Sequence, residues 1–163
     1  MSRKLIQAYL DEIEQLLLNC SNAYIEEYSA VILTTERANL RIRIRFAIRY
    51  LLAVSEAFVV VDNQIKYIDY RYHFQDEQNS LIFRYDSTPH FPNLPSFPHH
   101  KHFFDNVIAC EKPHIADVLQ EVMQYCSVKT KKQKYVGWVE ERNPTFSMIC
   151  WFYTIGCLRG NFR

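Results

Sequence analysis

The residues best suited to chemistry in this chain are histidines and arginines, and they are grouped. His90, His99, His100 and His102 fall within one stretch, 87–102, with Lys101 among them. Upstream, Arg41, Arg43 and Arg45 alternate with aliphatics, and Arg71, His73, Arg84 and Asp86 recur at similar odd-even spacing. Histidine titrates near neutrality and moves protons. Arginine's planar fork grips phosphate oxygens in pairs. Together they suit binding and cleavage of a phosphodiester. The plainer alternative is a solvated sheet face with cross-strand Arg–Asp pairs. Imidazole is also a zinc ligand, but no Cys, Asp or Glu stands at ligand spacing within 87–102 and Lys101 adds like charge. The spacing therefore assigns no residue to a metal.

Elements must position these groups, and the hydrophobic pattern predicts them. Leu5, Ile6, Tyr9, Leu10, Ile13, Leu16 and Leu17 repeat every three or four residues, one stripe of a helix over about 3–19. Residues 28–34 and 40–46 read as strands, the second with its arginines on one face and Leu40, Ile42, Ile44 and Phe46 on the other. Residues 50–61 continue as a strand after a bend near Ala47–Arg49, where no residue favours a turn. On that alternation Glu56 shares the face of Leu52, Val54, Phe58 and Val60. Buried there it needs a partner, with Arg45 or Arg49 the candidates; a bulge would turn it outward instead.

After a turn at Asp62-Asn63, residues 65–75 alternate, with Ile68, Tyr70, Tyr72 and Phe74 opposite Tyr67, Asp69, Arg71, His73 and Gln75. Residues 81–86 make a further short strand. Four prolines in 87–102 exclude helix and central strand, so that stretch reads as a loop. Pro113 fits the first turn of a second helix, whose apolar face is Ile115, Val118, Leu119 and Val122. The fold class expected is α+β, an antiparallel meander of about five strands flanked by an N-terminal and a C-terminal helix.

Composition narrows the function. Of 163 residues only Gly137, Gly156 and Gly160 are glycine, so no Gly-rich phosphate loop can be written in residues 1–136. Charge divides the chain near the same place. Through Cys126 there are 12 Lys+Arg against 16 Asp+Glu; from Ser127 there are 7 against 2. We expect a domain over 1–126 and a basic, aromatic extension over 127–163, opening with the linker-like VKTKKQK. Five widely spaced cysteines without a CxxC read as free thiols in a reducing cytoplasm. The longest strongly apolar stretch near the end, 146–158, is too short for a bilayer span of ~20 residues, so no membrane role is expected.

Three motifs in order, YRYHFQD (70–76), FRYDSTPHFP (83–92) and FPHHKHF (97–103), resemble the TumE-family toxins of bacterial toxin–antitoxin operons. SEAFVVVDNQI (55–65) and the N-terminal helix are also similar, and the resemblance covers roughly residues 5–125. It implies a small cytoplasmic toxin, neutralised by a helix-turn-helix antitoxin encoded beside it, that cleaves mRNA. The motif positions are Glu56, Tyr70, Tyr72, His73, Arg84, Asp86, His90, His99, His100, Lys101 and His102. Two departures stand out: Ala47-Ile48-Arg49 where relatives place a turn pair such as Asp-Gly, and residues 127–163, which resemble a read-through or repeat-derived extension.

The expectation is thus a metal-independent endoribonuclease toxin without cofactor. His73, Arg84, His99, His100 and His102 would carry catalysis, and Arg41, Arg43, Arg71, Lys101, Tyr70 and Tyr72 would hold RNA, possibly on the ribosome. Glu56, Asp86 and His90 are further candidates. Competing readings are a non-catalytic protein-binding module and a zinc- or manganese-dependent hydrolase built on the His-rich loop.

Overall fold

A computed structural model of the chain describes residues 1–142, with side chains as far as Lys129. The chain divides into two units, Met1–Lys129 and Thr130–Arg163. Helix α1 (Ser2–Leu18) buries Ile6, Leu10, Ile13 and Leu17, the stripe read from spacing. Its N-cap, Met1, offers no side-chain hydrogen bond. A missing cap costs about 1 kcal/mol, whereas each buried aliphatic contributes roughly 1.5–3 kcal/mol. Packing, not capping, holds this helix.

Seven strands follow: β1 (Ala23–Ile32), β2 (Arg37–Phe46), β3 (Tyr50–Val61), β4 (Gln64–Gln75), β5 (Leu81–Asp86), β6 (His100–Phe103) and β7 (Asn106–Ala109). They form one sheet in which every strand pairs antiparallel with the next, in the order 1 to 7. The α+β meander with a helix at each end is as expected, but the sheet has seven strands instead of five. Of the extra strands, β7 follows and β6 begins inside the proline-rich stretch 87–102, expected to be a loop. Its last proline is Pro98, so from His99 onward the backbone N–H groups are available for a ladder, and His100–Phe103 becomes an internal strand. The loop proper ends just before it.

Turn chemistry explains the connection between β3 and β4. Asp62 and Asn63 have φ of 52° and 58°, the left-handed pair that a two-residue hairpin favours and that Asp and Asn tolerate. Ala47 and Ile48 take the same region at 47° and 69° between β2 and β3. For a β-branched residue that is a strained choice. The bend expected there is present, made without the residues that make it easy.

One sheet face carries the core. Leu40, Ile42, Ile44, Leu52, Val54, Phe58, Tyr70, Tyr72 and Phe74 pack with α1 and with Ile115, Val118, Leu119 and Val122 of α2 (Ile115–Arg142). A bulge modifies the expected alternation of β4. Ala57 pairs with Asp69 but Phe58 with Tyr67, so Ile68 is the extra residue. Tyr67 joins Phe58 and Tyr9 on the core face, and Ile68, expected beside Tyr70, is 52% exposed.

The linker-like stretch 128–134 is helical, part of α2. α2 runs on to Arg142, and the rest of the expected extension, 143–163 with the apolar run 146–158, lies outside the described residues. Cys20 and Cys110 are free thiols. Among the described residues no helix is long and apolar enough to cross a membrane.

Candidate functional site

The face away from the helices is where the charged residues meet. Residues directly opposite in an antiparallel ladder point to the same side, so the register lays out two adjacent rows. The first runs Arg41, Ser55, Arg71, Asp86, His100 across β2 to β6. The second runs Arg43, Ala53, His73, Arg84, His102. β3 contributes only Ser55 and Ala53 here, so the arginines of β2 and β4 flank a strand of small residues. The two strands sit about 9–10 Å apart, two strand spacings. Arg43 and Arg45 are partly answered by Glu26, at 3.5 and 2.7 Å.

The rows end in a tight cluster on β5 and β6. Asp86 is fully buried, and His100 is 1% exposed. Arg84 Nε donates to Asp86 Oδ2 at 2.6 Å, and the Thr88 backbone N–H donates to Asp86 Oδ1 at 3.1 Å. His100 Nε2 lies 3.1 Å from Asp86 Oδ1 and 3.1 Å from His102 Nε2. The other nitrogen of His100, Nδ1, is 2.9 Å from the Pro98 carbonyl, which can only accept, so Nδ1 carries a proton. Arg84 Nη2 sits 2.8 Å from His102 Nε2, and a guanidinium can only donate, so that nitrogen is an acceptor. His90 reaches over from the loop, its ring 4.7 Å from that of His100, and Phe91 lies 5.0 Å from the same ring.

Burial and charge set the protonation of this face. Burial, followed by the Arg84 charge, lowers the His102 pKa to about 4. Burial also lowers His73, with Arg84 and Arg71 adding to the effect and the hydrogen bond with Gln75 opposing it. Both rings are neutral at pH 7. Burial pushes Asp86 the other way, but the Arg84 and Thr88 hydrogen bonds and the positive neighbours outweigh it and keep the carboxyl below its usual value.

Of the sequence candidates, Arg41, Arg43, Arg71, His73, Arg84, Asp86, His100 and His102 share this face, and His90 overhangs it. Five others lie elsewhere. Tyr70 and Tyr72 alternate to the core face, 1% and 0% exposed, and cannot touch a ligand on the open side. Lys101, between two cluster histidines in sequence, points the opposite way and pairs with Glu121 at 2.6 Å. His99 precedes β6 and stacks on Tyr70, ring centroids 5.6 Å apart. Glu56 is buried on the core side, as its alternation indicated, but its partners are neither Arg45 nor Arg49. Arg45 belongs to the open face, and Arg49 lies beyond the far end of β2, 3.9 Å from Glu77. Glu56 instead receives hydrogen bonds from Tyr9 at 2.6 Å and from Tyr72, and an ion pair from Lys112 at 3.1 Å.

Sequence reasoning missed Lys112, Tyr9, Phe91 and the Pro98 carbonyl. Only Tyr9 had a signal, a polar tip within the apolar stripe of α1. The grounds for setting a metal aside also change in the fold. The missing carboxylate arrives from β5 as Asp86, and Lys101 faces away. Ligand atoms of Asp86, His90, His100 and His102 lie within 4.8 Å of one another, and among the described residues this group could hold an ion.

A family model described as toxin TumE matches residues 13–129, spanning all seven strands and the site. No curated protein and no solved structure matches the chain.

Proposed function

The chain belongs to the TumE toxin family, and on that premise we propose that it stops growth by cleaving RNA on the open face of its sheet. The observation that carries this reading is the pair of cross-strand rows, which bring Arg41, Arg71, His73 and Arg84 onto one surface. Arg71 and Arg84 bind the scissile phosphate and the charge that develops on it. Arg41 and Arg43 hold the neighbouring backbone.

His73 is the base. Its Nε2 pairs with Gln75 Oε1 at 2.9 Å, which places the proton on Nε2 and the lone pair on Nδ1. Nδ1 takes the proton of the ribose 2′-hydroxyl, and the 2′-oxygen bonds to phosphorus. The 5′-oxygen leaves and takes its proton from solvent at the open edge of the rows. The products are a 2′,3′-cyclic phosphate and a 5′-hydroxyl. DNA, lacking the 2′-hydroxyl, is not a substrate.

A toxin requires a neutralising antitoxin, and this reading expects a helix-turn-helix protein encoded beside it. The test is inducible expression with and without the neighbouring gene, followed by mapping of RNA ends. Ends bearing cyclic phosphate that appear with wild type and vanish with His73→Ala support the proposal. RNA that stays intact, with and without ribosomes, while growth still arrests would reject it and leave a stoichiometric binding module.

A further inference from the structure

The cluster at the end of the rows contains more acceptors than donors. With Nδ1 of His100 donating to Pro98, a neutral ring has a bare Nε2, aimed at Asp86 Oδ1 and His102 Nε2, each 3.1 Å away. His102 Nε2 is itself an acceptor for Arg84 and lies 3.6 Å from Asp86 Oδ2. Three acceptors therefore converge in a buried space with only the His102 lone pair met, by Arg84, and the bare Nε2 of His100 against Asp86 Oδ1 is unfavourable unless a further cation lies between them.

Two cations can satisfy it: one proton on His100, or a metal ion. The spacing fits the metal. With bonds of roughly 2.0–2.2 Å, neighbouring ligand atoms around tetrahedral zinc are roughly 3.3–3.6 Å apart. His100 Nε2 lies 3.1 Å from both Asp86 Oδ1 and His102 Nε2, just inside that figure, and all four ligand atoms lie within 4.8 Å of one another. The Nδ1–H of His100 on a backbone carbonyl is the outer contact that fixes a ligating imidazole's tautomer. His90, exposed and within the same 4.8 Å group, supplies the fourth donor from the loop. Three imidazoles and one carboxylate favour a zinc-class ion over magnesium or calcium, which prefer oxygen.

We propose that Asp86, His90, His100 and His102 form a mononuclear site for a zinc-class divalent cation. Arg84 keeps Asp86 Oδ2 and gives up His102 on loading, since one lone pair cannot serve both. The site goes beyond the RNA-cleavage reading, because His73 and Arg71 are not among its ligands. Its test needs no RNA.

Full-length protein, stripped with chelator and dialysed, is titrated with Zn²⁺ by calorimetry and with Co²⁺ by visible absorption. Wild type is expected to take one ion per chain, to show the intense bands of tetrahedral cobalt, and to melt at higher temperature when loaded. His90→Ala, on an exposed loop position that leaves the fold alone, should weaken binding at least about tenfold. His100→Ala with His102→Ala should abolish it, with folding checked by circular dichroism. Wild type that binds Zn²⁺ no better than His90→Ala, or that binds it without cobalt bands, overturns the proposal and leaves the proton on His100 as the cation. RNA cleavage by such a protein would still stand.

Discussion

Two buried carboxylates lie on opposite faces of one sheet, and their surroundings differ in kind. Glu56, on the core face, is matched by donors: the hydroxyls of Tyr9 from α1 and Tyr72 from β4, and Lys112 from just before α2. Lys112 Nζ also sits 3.5 Å above the Tyr67 ring. Burial lowers the Lys112 pKa while Glu56 opposes the shift, and burial raises both tyrosines with Glu56 adding to it. Nothing is left over, and three elements are tied to one side chain. Asp86, on the open face, stands among His100, His102 and Arg84, where acceptors exceed donors and the outer edge reaches solvent. The first arrangement is a clamp; the second is the one we propose as a receptor. Counting donors against acceptors separates them where residue type alone does not.

That contrast is easiest to break at the clamp. Glu56→Ala leaves Lys112 buried and unpaired, and we expect a loss of about 3–5 kcal/mol in chemical denaturation. Adding Lys112→Met should restore much of it. If Glu56→Ala instead unfolds at the wild-type midpoint, the clamp is no clamp.

On the open face the expected order reverses, with activity falling and stability holding. His73→Ala should cut RNA cleavage roughly 10²–10⁴-fold at an unchanged denaturation midpoint. The pH dependence sharpens this point. Protonation inactivates a base whose pKa is lowered, so the acid limb of cleavage should have its midpoint below ~6.5, the ordinary histidine value. Stability follows the same group. The unfolded chain takes up the His73 proton first as pH falls through ~6.5, so folding weakens on the acid side. A limb centred well above that value would remove His73 as the base.

Arg41→Ala removes a backbone contact without touching the cluster, and should weaken RNA binding and reduce its salt slope by about one ion. A smaller effect, of opposite sign, belongs to the turn far from both sites. Ala47→Asn with Ile48→Gly relieves a left-handed β-branched residue and should stabilise by about 1 kcal/mol, with cleavage unaltered. Least of all should change when the chain ends at Cys126, since every core residue named here lies at or before it; an unfolded truncation would overturn the boundary.

The arginine rows were legible because a period of two survives in the sequence wherever one strand face is polar. Arg41, Arg43, His73 and Arg84 needed only the meander to be placed together. Ile68 and Tyr67 were misread because a bulge inserts one residue without leaving a mark in composition. β6 was hidden by its proline-rich neighbours, and with it went the alternation that sends His100 and His102 one way and Lys101 the other. Lys112 had no signal at all. It lies in a polar connector, and only tertiary packing brings it to Glu56, 56 positions earlier.

The sheet's order, in which each strand meets only its sequence neighbours, also bears on how the toxin comes into being. Hairpins close in roughly 1–10 μs, whereas the ribosome adds about 5–20 residues per second, so each strand can find its partner as soon as it emerges. Arg41, Arg43 and Arg71 are in place after β4, but the cluster on β5 and β6 is finished only with residue 102, and Lys112, which closes the Glu56 clamp on the core face, arrives ten residues later. The face we propose to act on RNA is thus completed only as the last strands of the sheet are added.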